Sequence, residues 1–200
     1  MKGLFAVLAV LVLSGCAGTG GLLSGGLCDI KENKSSFDDL KELRLTKCWS
    51  AKSESAWDFP ATKIGFTWRE SRPTTMTVNL IYDGSASGVA YSSYEALTVR
   101  INGKSRRFET YSGTQYTDGG YNDVSNNIYT QSQNSVNIPY ALFEQMMTEK
   151  DVRLRVQTSD GYDDMIFHIP QNGTMKYTKL YAKTFYDRIE TIKNAGKNNS

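Results

Sequence analysis

The sequence predicts a mostly β protein, an antiparallel β-sandwich with a short N-terminal helix, one inserted helix and a C-terminal helix. Apolar and polar residues alternate with a period of two over several segments after Ile64, which is typical of strands with one buried face. Asn102-Gly103 separates two of these segments and is a strong local signal for a β-hairpin. Two stretches with apolar residues at helical spacing interrupt the alternation and would cover the open surface of a sandwich.

The chain begins with a segment that has the features of an export leader. Lys2 precedes an uninterrupted apolar run from Leu4 to Leu13, which is shorter than the roughly 20 residues of a permanent span and fits a signal peptide. The run ends in Leu13-Ser14-Gly15-Cys16, which resembles the lipobox of bacterial lipoproteins. The resemblance implies that residues 1–15 are removed, that Cys16 carries a diacylglycerol on its sulfur, and that an acyl chain such as palmitate modifies its amine. An ordinary cleaved signal with an incidental cysteine is the alternative.

Lipidation would anchor the mature protein to a membrane without spanning it, because two or more acyl chains bind stably. Ala17 rather than Asp follows the cysteine. In the enterobacterial sorting pattern this resemblance implies the outer membrane of a Gram-negative bacterium, with the domain facing the periplasm or the cell surface. Residues 16–27 are rich in glycine and predict a flexible tether. We therefore expect a single β-rich domain over residues 28–193 and a frayed tail over 194–200.

Cys28 and Cys48 are the cysteines that remain after Cys16. Export would place them in an oxidising compartment, where an even pair is most simply a disulfide. The bridge would close a loop of about twenty residues and stabilise the fold by about 3 kcal/mol. Two buried free thiols are the alternative. A Cys–His nucleophile pair is less favoured, because the one histidine, His168, falls on the outer face of a predicted strand.

The elements of the domain follow from its apolar spacing. Ser35 and Ser36, with aspartates three positions on, predict the cap of a short helix from about Phe37 to Leu43. The predicted strands contain these alternating apolar residues: Ile64, Phe66 and Trp68; Met76, Val78, Leu80 and Tyr82; Leu97, Val99 and Ile101; Phe108; Val152, Leu154 and Val156; Met165, Phe167 and Ile169. Many short strands between turn signals favour a sandwich of immunoglobulin-like or related type.

Two longer helices are predicted within and after the strands. Pro139 is suited to the first position of the inserted helix, and its apolar stripe would pack on a sheet. That stripe consists of Leu142, Phe143, Met146 and Met147. The C-terminal helix has a stripe of Tyr177, Leu180, Tyr181, Phe185, Ile189 and Ile192. Both stripes are interpreted as core packing.

Composition and motifs narrow the function without identifying it. The chain has 200 residues, 40% of them hydrophobic, and a net charge of +2. It is long enough for one domain with its own core, and it is neither a collagen-like chain nor a disulfide mini-scaffold nor a multi-span membrane protein. The small charge gives no indication of nucleic-acid binding. Motifs of common hydrolases, metalloproteases and nucleotide-binding folds do not occur, so we assign no catalytic residue.

Two acidic segments, residues 118–123 and 160–164, place carboxylates around glycine. Such clusters suit Ca²⁺, which takes six to eight oxygen ligands. The candidate ligands are Asp118, Asp123, Asp160, Asp163 and Asp164. Neither segment has the spacing of a dedicated calcium loop, and Asp-Gly is also a common hairpin turn, so turns are the favoured interpretation. Calcium is the one cofactor that this pattern suggests.

The segment from Tyr111 to Ser135 has the most unusual composition. It contains Tyr111, Tyr116, Tyr121 and Tyr129 among Ser, Thr, Gly, Asn and Gln, and no basic residue occurs between Arg107 and Lys150. Rigid amphipathic rings beside small polar residues are typical of adaptable binding loops. This favours a recognition surface. The alternative is a solvated excursion containing one strand near residues 127–130. For the recognition surface, we expect that replacing residues 113–133 by a short Gly/Ser linker leaves the fold intact and abolishes partner binding, whereas loss of the fold would indicate a structural segment.

The leading hypothesis from the sequence is a non-enzymatic lipoprotein of the cell envelope that binds a protein or glycan partner through residues 111–135. It would act as an assembly accessory, an adhesion factor, or an inhibitor or immunity protein. The alternative is a carboxylate-dependent or calcium-dependent glycan hydrolase that uses the two acidic segments, since two carboxylates about 5–10 Å apart suffice for glycoside cleavage. A β-sandwich hosts many functions, so the fold alone does not choose between them.

Overall fold

The computed structural model describes residues 28–50, 61–86, 91–123, 127–167 and 178–197. Cys16, the tether and His168 lie outside these residues. The strands are β1 (Ile30–Lys34), β2 (Lys41–Cys48), β3 (Thr62–Arg69), β4 (Thr75–Ala86), β5 (Tyr94–Ile101), β6 (Lys104–Glu109), β7 (Gln115–Asn122), β8 (Asn127–Pro139), β9 (Val152–Thr158) and β10 (Gly161–Ile166). The helices are α1 (Tyr140–Thr148) and α2 (Thr178–Lys197).

The strands form two antiparallel sheets, which confirms the mostly β, sandwich-like fold. The first sheet has six strands in the order β1-β2-β3-β4-β8-β7, and the second has four in the order β10-β9-β5-β6. The first four strands form a meander within one sheet. This order differs from that of an immunoglobulin domain, in which the third strand belongs to the opposite sheet.

The core lies between the inner face of the six-stranded sheet and the elements that cover it. Ile64, Phe66 and Trp68 on β3 are buried in this core, as the sequence predicts. The residues between them are buried as well, so the expectation of only one buried face is wrong for β3. The Phe66 ring is fully buried, with its centroid 5.0 Å from that of Phe143 on α1 and 6.5 Å from that of Phe185 on α2. It lies 6.1 Å from the ring of Phe167, which directly follows β10. Both helices and the second sheet therefore share one core.

Both longer helices occur where the sequence predicts them. Helix α1 follows Pro139 and contacts β4 and β8, whereas α2 contacts β2 and β3. Helix α2 continues to Lys197, so the prediction of a frayed tail from residue 194 is wrong for residues 194–197. Leu180, predicted for the buried stripe, is 49% exposed. Neither of the helices in the described ranges combines the length and the apolar character that a membrane crossing requires.

The predicted disulfide is present. Cys28 and Cys48 are bonded, with their Cα atoms 4.9 Å apart, and both side chains are buried. The bridge joins the residues before β1 to the end of β2. The predicted helix from Phe37 to Leu43, in contrast, is wrong.

Residues 35–40 form the turn of the β1–β2 hairpin instead of a helix. The Ser35 hydroxyl accepts from the backbone N–H of Phe37 at 3.2 Å, so the predicted capping residue closes a turn. Phe37 is almost fully exposed, while Leu43 and Leu45 alternate into the core from β2. Phe37, Leu40 and Leu43 have helical spacing, but a helix does not form here. Pairing of β2 with both β1 and β3 buries more apolar surface than a short helix could.

Two further hairpins were predicted from their turns. Asn102 and Gly103 both have positive φ, of 48° and 82°, and connect β5 to β6 as a two-residue turn. In the β9–β10 hairpin, Ser159 and Asp160 form the turn and Gly161 is the first residue of β10. Both hairpin predictions are therefore confirmed.

Candidate functional site

The tyrosine-rich segment is a β-hairpin of the six-stranded sheet. Strand β8 pairs with β4 from Pro139 opposite Thr75 to Ile128 opposite Ala86, and β7 adds to the free side of β8 as the edge strand. The expectation of an excursion with one strand near residues 127–130 is therefore wrong. Replacement of residues 113–133 would also remove β7 and much of β8, which is incompatible with the expectation that the fold survives it.

Buried polar side chains attach this hairpin to the second sheet. Ser132 Oγ on β8 accepts from the backbone N–H of Ser92 at 3.0 Å. Asn134 Nδ2 donates to Thr114 Oγ1 at 3.2 Å, and the same hydroxyl accepts from the N–H of Tyr94 at 2.8 Å. Ser132 and Asn134 are both buried. Because hydrogen bonds replace apolar packing here, the sequence of a buried strand has the composition of a solvated loop.

The tyrosines of the hairpin that the structure describes are exposed. The exposed fractions are 63% for Tyr111, 51% for Tyr116 and 42% for Tyr129, and the Tyr121 side chain lies outside the description. Tyr116 packs edge-on against Tyr91, with ring centroids 5.1 Å apart, and Tyr91 is itself 39% exposed. The Tyr111 hydroxyl is 2.8 Å from Ser135 Oγ. Each ring thus presents apolar area to solvent.

The pairing register divides these tyrosines between the two faces of the sheet. Tyr116 lies opposite Ser132, on the inner side, whereas Tyr129 shares the outer side with Gln131 and Ser135. Ser135, which holds Tyr111, is six residues from Tyr129 along β8, or about 20 Å. The structure therefore does not bring the predicted tyrosines into one patch. It adds Tyr91, which sequence reasoning missed because only the folded sheets bring it to Tyr116.

The acidic residues of the first segment form part of the hairpin framework. Asp118 Oδ1 accepts from the N–H of Gly120 at 2.9 Å, and the register of β7 against β8 shifts between Asp118 and Tyr121. A Cβ at Gly119 would lie 2.9 Å from the carbonyl oxygen of Tyr129, and Gly120 has a φ of +82°. The Asp-Gly-Gly sequence is thus a β-bulge within β7, and the prediction of a turn at this point is wrong.

The carboxylates of the second segment that lie on β10 are already paired. Asp163 Oδ2 accepts from the hydroxyl of Thr62 at 2.6 Å and from its N–H at 3.0 Å. Asp164 accepts from Arg155 Nε at 2.6 Å and Nη2 at 2.7 Å, and these bonds hold the pKa of the Asp164 carboxyl below its usual range. Both carboxylates therefore already accept hydrogen bonds from other strands of the protein.

The two acidic segments do not converge on one site. Asp163 on β10 accepts a hydrogen bond from Thr62, the first residue of β3. Asp118 is on β7, which is three strands from β3 in the six-stranded sheet, a separation of about 14 Å between the two strands. Among the residues that the structure describes, no three His, Cys, Asp or Glu side chains are grouped so that they could hold a metal ion. The two segments are therefore farther apart than the carboxylate pair of a glycoside hydrolase.

A charged cluster that sequence reasoning missed lies beside the hairpin. Asp83 on β4 accepts from Lys47 Nζ at 2.7 Å, Lys63 Nζ at 2.5 Å and Gln131 Nε2 at 2.7 Å. Burial raises the pKa of Asp83, but the three hydrogen bonds together lower it by a larger amount, so that it lies at about 2. Lys63 is buried, with its ammonium 4.2 Å from the ring centroid of Trp49. The cluster joins β2, β3, β4 and β8, so no local pattern in the sequence marks it.

Comparison with known proteins finds no matching family model, no similar curated protein and no similar solved structure. The structural features that bear on its function are the exposed rings of the hairpin, the paired carboxylates and the charged side chains of the two sheets.

Proposed function

We propose that this protein is a non-enzymatic binding module of the bacterial cell envelope, in which the β7–β8 hairpin is the recognition surface. The observation that carries the proposal is the exposure of Tyr111, Tyr116 and Tyr129 on a segment without basic residues. The partner is an envelope protein or a glycan. The role is that of an assembly accessory, an adhesion factor, or an inhibitor or immunity protein.

The physical chemistry of tyrosine supports this choice. A tyrosine ring supplies a large contact area, loses little conformational entropy on binding, and carries a hydroxyl that can donate to a partner. Tyr91 and Tyr116 already restrain each other by their edge-on contact, and Asn134 and Ser132 fix the strands that present them. A partner would therefore meet rings that are ordered in advance, which lowers the cost of association.

The proposed location rests on the leader and on the disulfide. Leu13-Ser14-Gly15-Cys16 resembles a lipobox, which implies an anchor of two or more acyl chains at the start of the mature protein. The Cys28–Cys48 bond fits an oxidising compartment, such as the space outside the inner membrane. The tether of residues 16–27 would let the domain reach a partner at some distance from the lipid.

Co-purification after chemical crosslinking in intact cells tests the recognition surface. Tyr116→Ala and Tyr129→Ala, each alone, are compared with Tyr162→Ala, which removes a ring of 62% exposure from β10. We expect one partner to be recovered with the wild type and with the β10 variant. A ring central to the interface contributes about 2 kcal/mol or more, so recovery with at least one hairpin variant should fall by about 30-fold. Equal recovery from all the variants would contradict the proposal.

A further inference from the structure

The outer face of the second sheet carries four arginines, which we name the arginine face: Arg100, Arg107, Arg153 and Arg155. The strand register places them together, because Arg100 on β5 lies directly opposite Arg153 on β9. Thr98, one step along the same face, lies opposite Arg155 on one side and Arg107 on the other. All four side chains are exposed, whereas the residues that alternate with Arg153 and Arg155 on β9 are buried.

Part of this face is a depression of about 390 Å³, within the size range of small-molecule pockets. Arg100, Arg153 and Arg155 line it together with the side chains of Thr98 and Ser105. Asp164 also lines it, and its carboxylate is held by Arg155. Guanidinium groups and hydroxyls are all hydrogen-bond donors. The depression thus offers donors from three neighbouring strands to one ligand.

The arginines differ in how far the protein already neutralises them. Arg155 is held by Asp164 through two short hydrogen bonds, and its guanidinium lies 4.1 Å from the ring centroid of Tyr162. Arg153 has a longer contact of 3.4 Å with Asp151 at the end of the strand. Within the described ranges, the side chain of Arg100 makes neither an ion pair nor a hydrogen bond. Arg107 donates to Glu109 at 2.7 Å and to Gln157 at 2.6 Å. The face therefore combines two paired arginines, Arg107 and Arg155, with Arg100 and Arg153, which are unpaired or weakly paired.

The direct pairing of Arg100 with Arg153 has an energetic cost. Like charges opposite each other on neighbouring strands destabilise a sheet, whereas opposite charges would stabilise it. The other residues of that cross-strand row are Ser105 on β6 and Ile166 on β10, so the row contains no acidic side chain. An anion between the two guanidinium groups would remove the repulsion.

We propose that the arginine face binds a phosphate group between Arg100 and Arg153. A guanidinium group matches two phosphate oxygens with parallel N–H donors, and the hydroxyls of Ser105 and Thr98 are available to the remaining oxygens. A carboxylate has only two oxygens and would be satisfied by one arginine. The two weakly paired charges also match the charge of about −1.5 to −2 that a phosphomonoester carries at pH 7.

This site is independent of the proposed function. The hairpin tyrosines belong to the six-stranded sheet, whereas the arginine face belongs to the second sheet and points away from the shared core. Loss of phosphate binding and loss of the hairpin's partner are therefore measured with different variants. Failure of one proposal leaves the other unaffected.

Calorimetric titration of the full-length protein in detergent with inorganic phosphate at low ionic strength tests the site. We expect binding with a Kd of about 1 mM or tighter, and at least about tenfold weaker binding in Arg100→Gln and Arg153→Gln. Arg106→Gln is the matched control, because Arg106 is exposed on the adjacent strand but lies opposite Val99, on the other face. It should retain wild-type affinity.

Two further measurements separate the source of the phosphate and the integrity of the fold. Short-chain phosphatidic acid below its micelle concentration has a phosphomonoester headgroup and, compared with the zwitterionic phosphatidylcholine, tests a lipid source. Binding of phosphatidic acid without binding of inorganic phosphate identifies a lipid headgroup as the source. Arg100→Lys keeps the charge but not the parallel N–H donors of the guanidinium group, so it should bind with intermediate affinity, a result that loss of the fold would not give. Absence of binding by both probes, or equal loss in Arg106→Gln, would overturn the proposal.

Discussion

Replacement of Asp83 by asparagine should destabilise the protein at neutral pH and have little effect in acid. The carboxylate accepts from Lys47, Lys63 and Gln131, and its pKa lies at about 2 instead of 3.8. Because the pKa of the folded state is the lower one, the interaction stabilises the fold above about pH 4 and is lost as the pH falls through 2. The difference corresponds to about 2.4 kcal/mol at pH 7, which screening at a side chain with 28% exposure lowers to about 1–2 kcal/mol.

Urea unfolding followed by tryptophan fluorescence between pH 7 and pH 2 measures this effect. The quantity of interest is the difference in unfolding free energy between wild type and Asp83→Asn at each pH, since other carboxylates cancel in it. About half of the difference should remain at pH 3. Asp160→Asn, in the exposed β9–β10 turn, is the control for the effect of an Asp-to-Asn change outside the cluster. A difference for Asp83→Asn that stays constant from pH 7 to pH 2 would refute the reasoning.

Three further predictions concern the core, the disulfide and the anchor. Phe66→Ala should lower the unfolding free energy by about 3–5 kcal/mol, whereas Phe37→Ala should leave it unchanged, because the first ring is fully buried and the second is 99% exposed. Cys28→Ser with Cys48→Ser should cost about 3 kcal/mol in the same urea assay, and an equally stable double variant would contradict the contribution of the bond. Cys16→Ala should move the protein from the membrane to the soluble fraction after cell lysis, and unchanged membrane association would disprove lipidation at this residue.

Strands with alternating apolar residues could be predicted from the sequence because the alternation marks the face that packs on the core. Ile64, Phe66 and Trp68 point into the core from β3, and Val152, Leu154 and Val156 do so from β9. The Asn102-Gly103 turn was equally recognisable, since few residue types other than Gly and Asn tolerate a positive φ. The β1–β2 turn, in which Asp39 has a φ of 59°, was not recognised. These elements depend on residues that are close together in the sequence, so the pattern of residue types predicts them.

The elements that could not be predicted depend on contacts between distant segments. Ser132 and Asn134 are buried through hydrogen bonds to residues 40 and 20 positions away, so β8 has the composition of a loop. The Asp83 cluster and the Arg100–Arg153 pair each require a sheet register before their charges meet. The tyrosines of the hairpin were identified by composition, but the faces they occupy follow from the register of β7 against β8.

Position-specific photocrosslinking in living cells is the most direct test of the hairpin as a recognition surface. The photoreactive residue p-benzoylphenylalanine replaces Tyr116 or Tyr129 on the hairpin, and Tyr162 on β10 as the control, one position at a time. The proposed function predicts a discrete crosslinked envelope protein or glycan from a hairpin position that is absent from the β10 position. No crosslink from either hairpin position, or the same product from Tyr162, would contradict it.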